Sequence, residues 1–225
     1  MLANMDRRAA RKTLRRQTSR RFDPREDYRR RRVCGEAARI MADEGVRDYH
    51  AAKLKACERL GVRAQGVPLP TNGEVEEELG LRLRLFESGR LDLDAQHLRH
   101  LALVVMGWLA AFEPRAVGAM VRGNITAYSP IELHVFSDTP EDVLHHLDAG
   151  EITFELFDRR LRFGHDRYET LPALRCAYGE TPVELTIFPP AGLRESPLCP
   201  VLGRPMRRLK AGELERLVVG ETVEG

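Results

Sequence analysis

The stretch 118–135, which leads from a glycine into an alternating aliphatic run, constrains the fold of this chain more than any other segment. Its residues predict a short strand over 116–121, a turn that contains glycine, and a second strand over 131–136. Side chains two positions apart share one face of a strand. The aliphatic residues of the second strand should therefore face the core, while Glu132 and His134 face outward.

The residues before this stretch are predicted to be mainly helical. Residues 33–61 fit two helices, each ended by a glycine, Gly45 and Gly61. Thr71 opens a segment with the spacing of a capping box and predicts a third helix. We expect that helix to end near Gly89.

Two more helices and several strands are predicted around and after the stretch 118–135. One helix starts at Asp92 or Asp94 and stops at Pro114, and another runs from Thr139 to Gly150. Short apolar runs, punctuated by glycine and proline, predict further strands. These strands, and a final helix, are 152–157, 161–163, 174–178, 183–188 and a helix from about residue 211.

The order of these elements predicts an α+β protein. A length of 225 residues fits one compact domain with an appendage, or two small domains. We divide the chain into a basic arm over residues 1–32, a helical module over 33–90, and an α+β domain over 91–225. In the last of these, helices flank a mixed sheet.

The arm is strongly basic, with 13 arginines and lysines against 4 acidic residues, whereas the remaining residues carry 23 against 30. It has few large apolar residues, so we predict that it is disordered or loosely helical. Clustered arginines are typical of segments that bind the phosphate backbone of nucleic acids. Three other interpretations stay open: a solvated tail, an extension ahead of a second start at Met5, and an organellar transit peptide.

Cysteine spacing and apolar runs argue against several other classes of protein. The four cysteines lie far apart, without a Cys-x-x-Cys pair, which disfavours a disulfide framework or a zinc site. The longest apolar run, 101–112, is too short to span a bilayer, and we see no signal-peptide pattern. We therefore expect a soluble, cytoplasmic protein that does not contact a membrane.

Three short motifs within the stretch 118–135 share a spacing with a known signature. They are Gly118-Ala119, Arg122-Gly123 and Ser129-Pro130-Ile131-Glu132-Leu133. This arrangement resembles the DNA polymerase β-like (minimal) nucleotidyltransferases, which carry Gly-Ser, Arg-Gly and Ser-Asp-x-Asp-Leu. The chain is identified as a divergent member of that superfamily with a degenerate metal-binding motif. Ala119, Pro130 and Glu132 replace the serine and the two aspartates.

The resemblance implies a nucleotidyltransferase-like sheet and a reaction that depends on Mg²⁺. In that family, carboxylates on neighbouring strands hold metal ions that stabilise the attacking and leaving oxygens. Carried over to this chain, Glu132 and Glu184 are the catalytic residues and the Mg²⁺ ligands, Glu184 by its strand context alone. An active protein would transfer a nucleoside monophosphate from a nucleoside triphosphate to a hydroxyl acceptor.

The resemblance also implies which residues contact the nucleotide phosphates. Gly118 and Ala119 would offer backbone N–H groups in a tight turn, and Arg122 a bidentate donor. Gly123 completes the Arg-Gly motif, and Ser129 closes the turn before the strand.

A second hypothesis belongs to a different class of function. Pro130 cannot bind a metal ion, so the chain is alternatively a catalytically inactive binding or regulatory module with the nucleotidyltransferase fold. Its helical module would then contact a protein partner, and its basic arm would contact RNA or DNA.

Overall fold

The structure, a computed structural model, describes residues 24–64 and 68–219, without the side chains of residues 86–92. Helix α1 spans Pro24–Glu44 and helix α2 spans Tyr49–Arg59. The predicted helix ends are confirmed. Gly45 and Gly61 follow the two helices with φ angles of +70° and +64°, a region that favours glycine because it has no Cβ.

Helix α1 begins before the predicted residue 33 and includes residues 24–32 of the basic arm. This segment is stabilised as a helix by one ion pair within α1 and by another to the helix that begins at Asn72. Arg31 pairs with Asp27 at 2.6 Å, and Arg30 pairs with Glu74 at 2.6 Å. The rest of the arm, residues 1–23, lies outside the described residues.

Helix α3 spans Asn72–Trp108, a single helix of 37 residues and about 55 Å. Its capping box at Thr71 is confirmed. The predicted end near Gly89 and the separate start at Asp92 or Asp94 are wrong. One glycine inside a helix costs only about 1 kcal/mol relative to alanine, and tertiary packing of both halves of α3 outweighs that cost.

Each half of α3 packs into a different hydrophobic cluster. Val75, Leu79 and Leu83 join the buried faces of α1 and α2. Further along, Leu98 and Met106 join the core beneath the sheet. The helical module and the α+β domain therefore have separate cores that share one helix.

Five strands form one mixed sheet. They are β1 Arg115–Ala116, β2 Ile131–Phe136, β3 Glu155–Arg162, β4 Tyr168–Tyr178 and β5 Thr181–Phe188. Their order in the sheet is β1-β2-β5-β4-β3, in which β2 and β5 are parallel and the other neighbours are antiparallel. This arrangement confirms an α+β fold.

Four strand predictions are wrong in extent: 116–121, 152–157, 161–163 and 174–178, the last because β4 already begins at Tyr168. The run 116–121 leaves the sheet after Ala116 and becomes a one-turn helix, α4, over Ala119–Arg122. The separate runs 152–157 and 161–163 are one continuous strand, β3. Its polar middle stays extended because every residue of β3 has a partner on β4.

The remaining helices agree with the sequence patterns. Helix α5 spans Pro140–Ala149 and helix α6 spans Ala211–Val218, while short 3-10 turns cover Ala110–Phe112 and Pro190–Leu193. Among residues 24–64 and 68–219, no helix combines the length and apolar character needed to cross a membrane.

Candidate functional site

A cleft of about 310 Å³ lies between the helical module and the sheet. The loop between α1 and α2 forms one wall, and the start of α4 with strand β2 forms the other. Five of the seven predicted site residues line this cleft: Gly118, Ala119, Arg122, Ser129 and Glu132. The tertiary structure thus brings most of the signature into one concave site.

The two predicted carboxylates lie on neighbouring strands. Glu132 on β2 and Glu184 on β5 are direct partners in the parallel register. Both side chains stand on the face of the sheet opposite the main core. Glu184, however, is not at the open surface, since it is only 2 % exposed.

Three arginines surround the carboxylate of Glu184. Arg47 donates to it at 2.7 Å and 3.2 Å, Arg175 donates at 3.2 Å and 3.3 Å, and Arg159 forms a further ion pair with it. Burial opposes ionisation of Glu184, but the ion pairs with Arg47 and Arg159 outweigh it and hold its pKa at about 2. Glu184 is therefore an ionised anchor for guanidinium groups.

Glu132 is more accessible and less tightly held. Its side chain is 21 % exposed, and Arg47 donates to it at 3.4 Å. The carboxylate folds against Gly118, so that a Cβ added at Gly118 would overlap its Oε2 atom. Gly118 also has φ +76° and ψ −149°, a backbone conformation that only glycine adopts without strain.

Arg122 is already bound by an acidic residue from the helical module. Its Nε donates to Glu76 at 2.7 Å, and the hydroxyl of Tyr49 donates to the same carboxylate. Burial disfavours the charged guanidinium, but the Glu76 carboxylate outweighs it and raises the pKa of Arg122. Arg122 is thus positioned by α2 and α3 at the edge of the cleft.

The other signature residues shape the turn. The Oγ of Ser129 accepts from the backbone N–H of Thr126 at 2.9 Å and closes the loop before β2. Gly123 ends α4 with φ +93°, and its N–H donates to the carbonyl of Ala119 at 2.8 Å. Gly123 and Glu184 are not among the residues that line the cleft.

His134 was expected on the outward face of β2, but it is buried, at 2 % exposure. Its Nδ1 accepts from Nε of Arg208 at 2.9 Å, and its ring lies 4.5 Å from that of Phe188. Burial, and then the nearby guanidiniums of Arg208 and Arg159, hold the pKa of His134 well below its usual range. The side chain is a neutral imidazole at the back of the cleft.

Arg47 and Glu76 contribute to the site but lie outside the signature. They are 137 and 46 residues away from the groups they bind, Glu184 and Arg122. No local motif marks them in the sequence. A buried carboxylate on β5 requires a cationic partner, but the chain has many arginines and the sequence does not show which of them pairs with it.

The carboxylates of this site do not fit a two-metal centre. The first metal-binding position is Pro130, and Glu132 and Glu184 both face Arg47. Within the part of the chain that the structure describes, no group of three or more His, Cys, Asp or Glu side chains converges as a metal site. A divalent cation beside Glu184 would have to displace guanidiniums that carry the same sign of charge.

Comparison with known proteins gave no match, whether to protein-family models, to curated proteins or to solved structures. The resemblance to nucleotidyltransferases therefore depends on the signature residues and their placement in the cleft.

Proposed function

We propose that this chain binds a nucleotide, or a related compound with phosphate groups, in the cleft and does not transfer its nucleoside monophosphate. The observation that carries the proposal is the convergence of five signature positions on one cleft, together with Arg47 and Arg159. In this view the chain keeps the nucleotidyltransferase-like scaffold and uses arginines in place of metal ions.

The lining of the cleft suits such a ligand. Guanidinium groups bind phosphate oxygens through two parallel hydrogen bonds, and Arg47, Arg122 and Arg159 all reach the cleft. Apolar side chains, Met41 and Leu79, offer a surface for a base or another flat apolar group. The volume falls at the lower end of the range of small-molecule sites.

Calorimetric titration of the full chain with each nucleoside triphosphate, in EDTA and in Mg²⁺, tests the proposal. We expect binding that persists in EDTA. Ala119→Glu should abolish it, because the new carboxylate lies in the cleft and repels phosphate, whereas Ala119→Gln, of the same size but neutral, should weaken it much less. Release of pyrophosphate only with Mg²⁺ would instead establish metal-dependent transfer, and no binding in either buffer, by wild type and by Glu132→Gln alike, would remove the proposal.

A second candidate function is nucleic-acid binding by the basic arm, residues 1–32, whose last residues belong to α1. On α1, Tyr28 is 60 % exposed and Arg32 lies over its ring at 5.8 Å, so an aromatic and a basic group share one face. Bases stack on such aromatics while arginines contact the phosphates. We expect labelled single-stranded RNA to bind in a strongly salt-dependent manner and Tyr28→Ala to weaken it. Binding that is unchanged by salt would contradict this candidate.

A further inference from the structure

The carboxylate of Glu132 belongs to a side chain that lines the cleft. It lies over Gly118, and the absence of a Cβ there is what admits it. The same carboxylate accepts from Nη2 of Arg47. A group with negative oxygens therefore sits between a bare backbone turn and a guanidinium, the surroundings in which a phosphate is held.

We propose that Glu132 is an internal competitor for the phosphate group of the ligand, and that it lowers the affinity of the cleft by occupying the anion site formed by Gly118 and Arg47. This inference rests on the proposed function, since it assigns the role of one residue in the same cleft. It gives Glu132 the opposite role from a metal ligand. A metal ligand would strengthen nucleotide binding, whereas an internal competitor weakens it.

Arg47 is placed to exchange one anion for another. It extends from the loop between α1 and α2, and its Nη1 donates to Glu184 at 2.7 Å. Its Nη2 is shared between Glu184 at 3.2 Å and Glu132 at 3.4 Å. The longer contact is the weaker one. Arg47 can therefore turn Nη2 toward a phosphate while Glu184 keeps the guanidinium in place.

The charges along the cleft explain why one carboxylate decides the affinity. Three arginines and three acidic side chains line it, so their formal charges cancel. The arginines are Arg47, Arg122 and Arg159, and the acidic residues are Asp48, Glu76 and Glu132. Asp48 is engaged by the N–H of Ala51 at the start of α2, and Glu76 by Arg122. Of these three acidic side chains, Glu132 is bound most weakly by its neighbours. Removing its charge leaves a net positive cleft.

The experiment compares Glu132→Gln with the wild-type full chain, using inorganic pyrophosphate in EDTA as the probe. Glutamine keeps the shape and a carbonyl acceptor for Arg47 but removes the charge. We expect affinity for pyrophosphate to rise on the order of tenfold, because a like charge within a few ångströms of the phosphate is gone. Glu141→Gln, the same change on the exposed face of α5, is the matched control and should not alter binding.

The outcomes separate this inference from the proposed function. Tighter binding by Glu132→Gln, including binding that appears only in this variant, supports the inference. Equal or weaker binding by Glu132→Gln, with wild type binding, overturns the inference and leaves the proposed function intact. Absence of binding by wild type and by both variants, with unchanged circular dichroism, overturns both. Glu132→Asp, which keeps the charge, should remain far below Glu132→Gln in affinity, and a gain as large as that of glutamine would contradict the role of charge.

Discussion

Replacing Glu184 with glutamine should destabilise the protein by about 3 kcal/mol at neutral pH. Ion pairs lower the pKa of this carboxyl group from its usual 4.5 to about 2. Each pKa unit corresponds to about 1.4 kcal/mol of stabilisation of the ionised form, which gives the magnitude. Glutamine has nearly the same volume, but it leaves Arg47, Arg159 and Arg175 around a neutral group. Removing one partner of a buried ion pair destabilises the folded state, because the remaining charge has no counter-charge.

Glu132→Gln is the matched control for stability, because it makes the same change on the neighbouring strand in direct register. Glu132 is more exposed and is held by one arginine at 3.4 Å. Exposed ion pairs contribute little, so we expect a loss below about 1 kcal/mol. The measurement is urea unfolding followed by circular dichroism, with the midpoint and slope fitted for each variant.

The pH dependence of the Glu184 contribution has a definite sign. In the folded chain this carboxyl group stays ionised down to about pH 2, whereas in the unfolded chain it is protonated near 4.5. Between these values the unfolded state binds the additional proton, so stability falls as the pH is lowered through this window. Wild type should therefore lose its stability advantage over Glu184→Gln as the pH falls below about 5. A constant difference across that range, or equal losses in Glu184→Gln and Glu132→Gln at neutral pH, would refute the reasoning.

Four other changes test local features of the fold by thermal or urea unfolding. Gly118→Ala should cost about 2–4 kcal/mol, since it strains the backbone and overlaps Glu132. Gly123→Ala, where an added Cβ meets nothing, should cost only about 1 kcal/mol, and equal losses would contradict the overlap. Thr71→Ala removes the cap of α3 and should cost about 1 kcal/mol, while an unchanged unfolding midpoint would contradict the capping box. His134 is neutral when folded and protonates when unfolded, so stability should decrease as the pH falls through its usual 6.5, and His134→Gln should flatten that decrease.

The elements that follow local signals were predicted closely. Strand β2 has the predicted bounds, and the helices that end at Gly45 and Gly61 do so with the left-handed backbone that their glycines favour. Capping side chains, glycine and proline act on residues within one helical turn of themselves. Their effect on where a helix starts or ends can therefore be predicted from a few consecutive residues. The same holds for the alternation that separates the two faces of a strand.

The errors have a common physical cause in contacts between distant segments. Helix α3 continues through Gly89 because its two halves are packed by two different cores. The run 116–121 leaves the sheet at α4, and the polar middle of β3 stays extended because β4 pairs with it. Neither the packing nor the pairing partner is visible in a short window of residues.

The sequence by itself determined the α+β class, the glycine turn before β2 and the carboxylate on that strand, because each depends on the conformational preferences of adjacent residues. Only the tertiary structure decided the character of the site. Arg47 arrives from the helical module, and Arg159 and Arg175 from β3 and β4, to meet one buried carboxylate, Glu184. A buried charge must be paired, but the identity of its partners is set by how the chain folds back on itself.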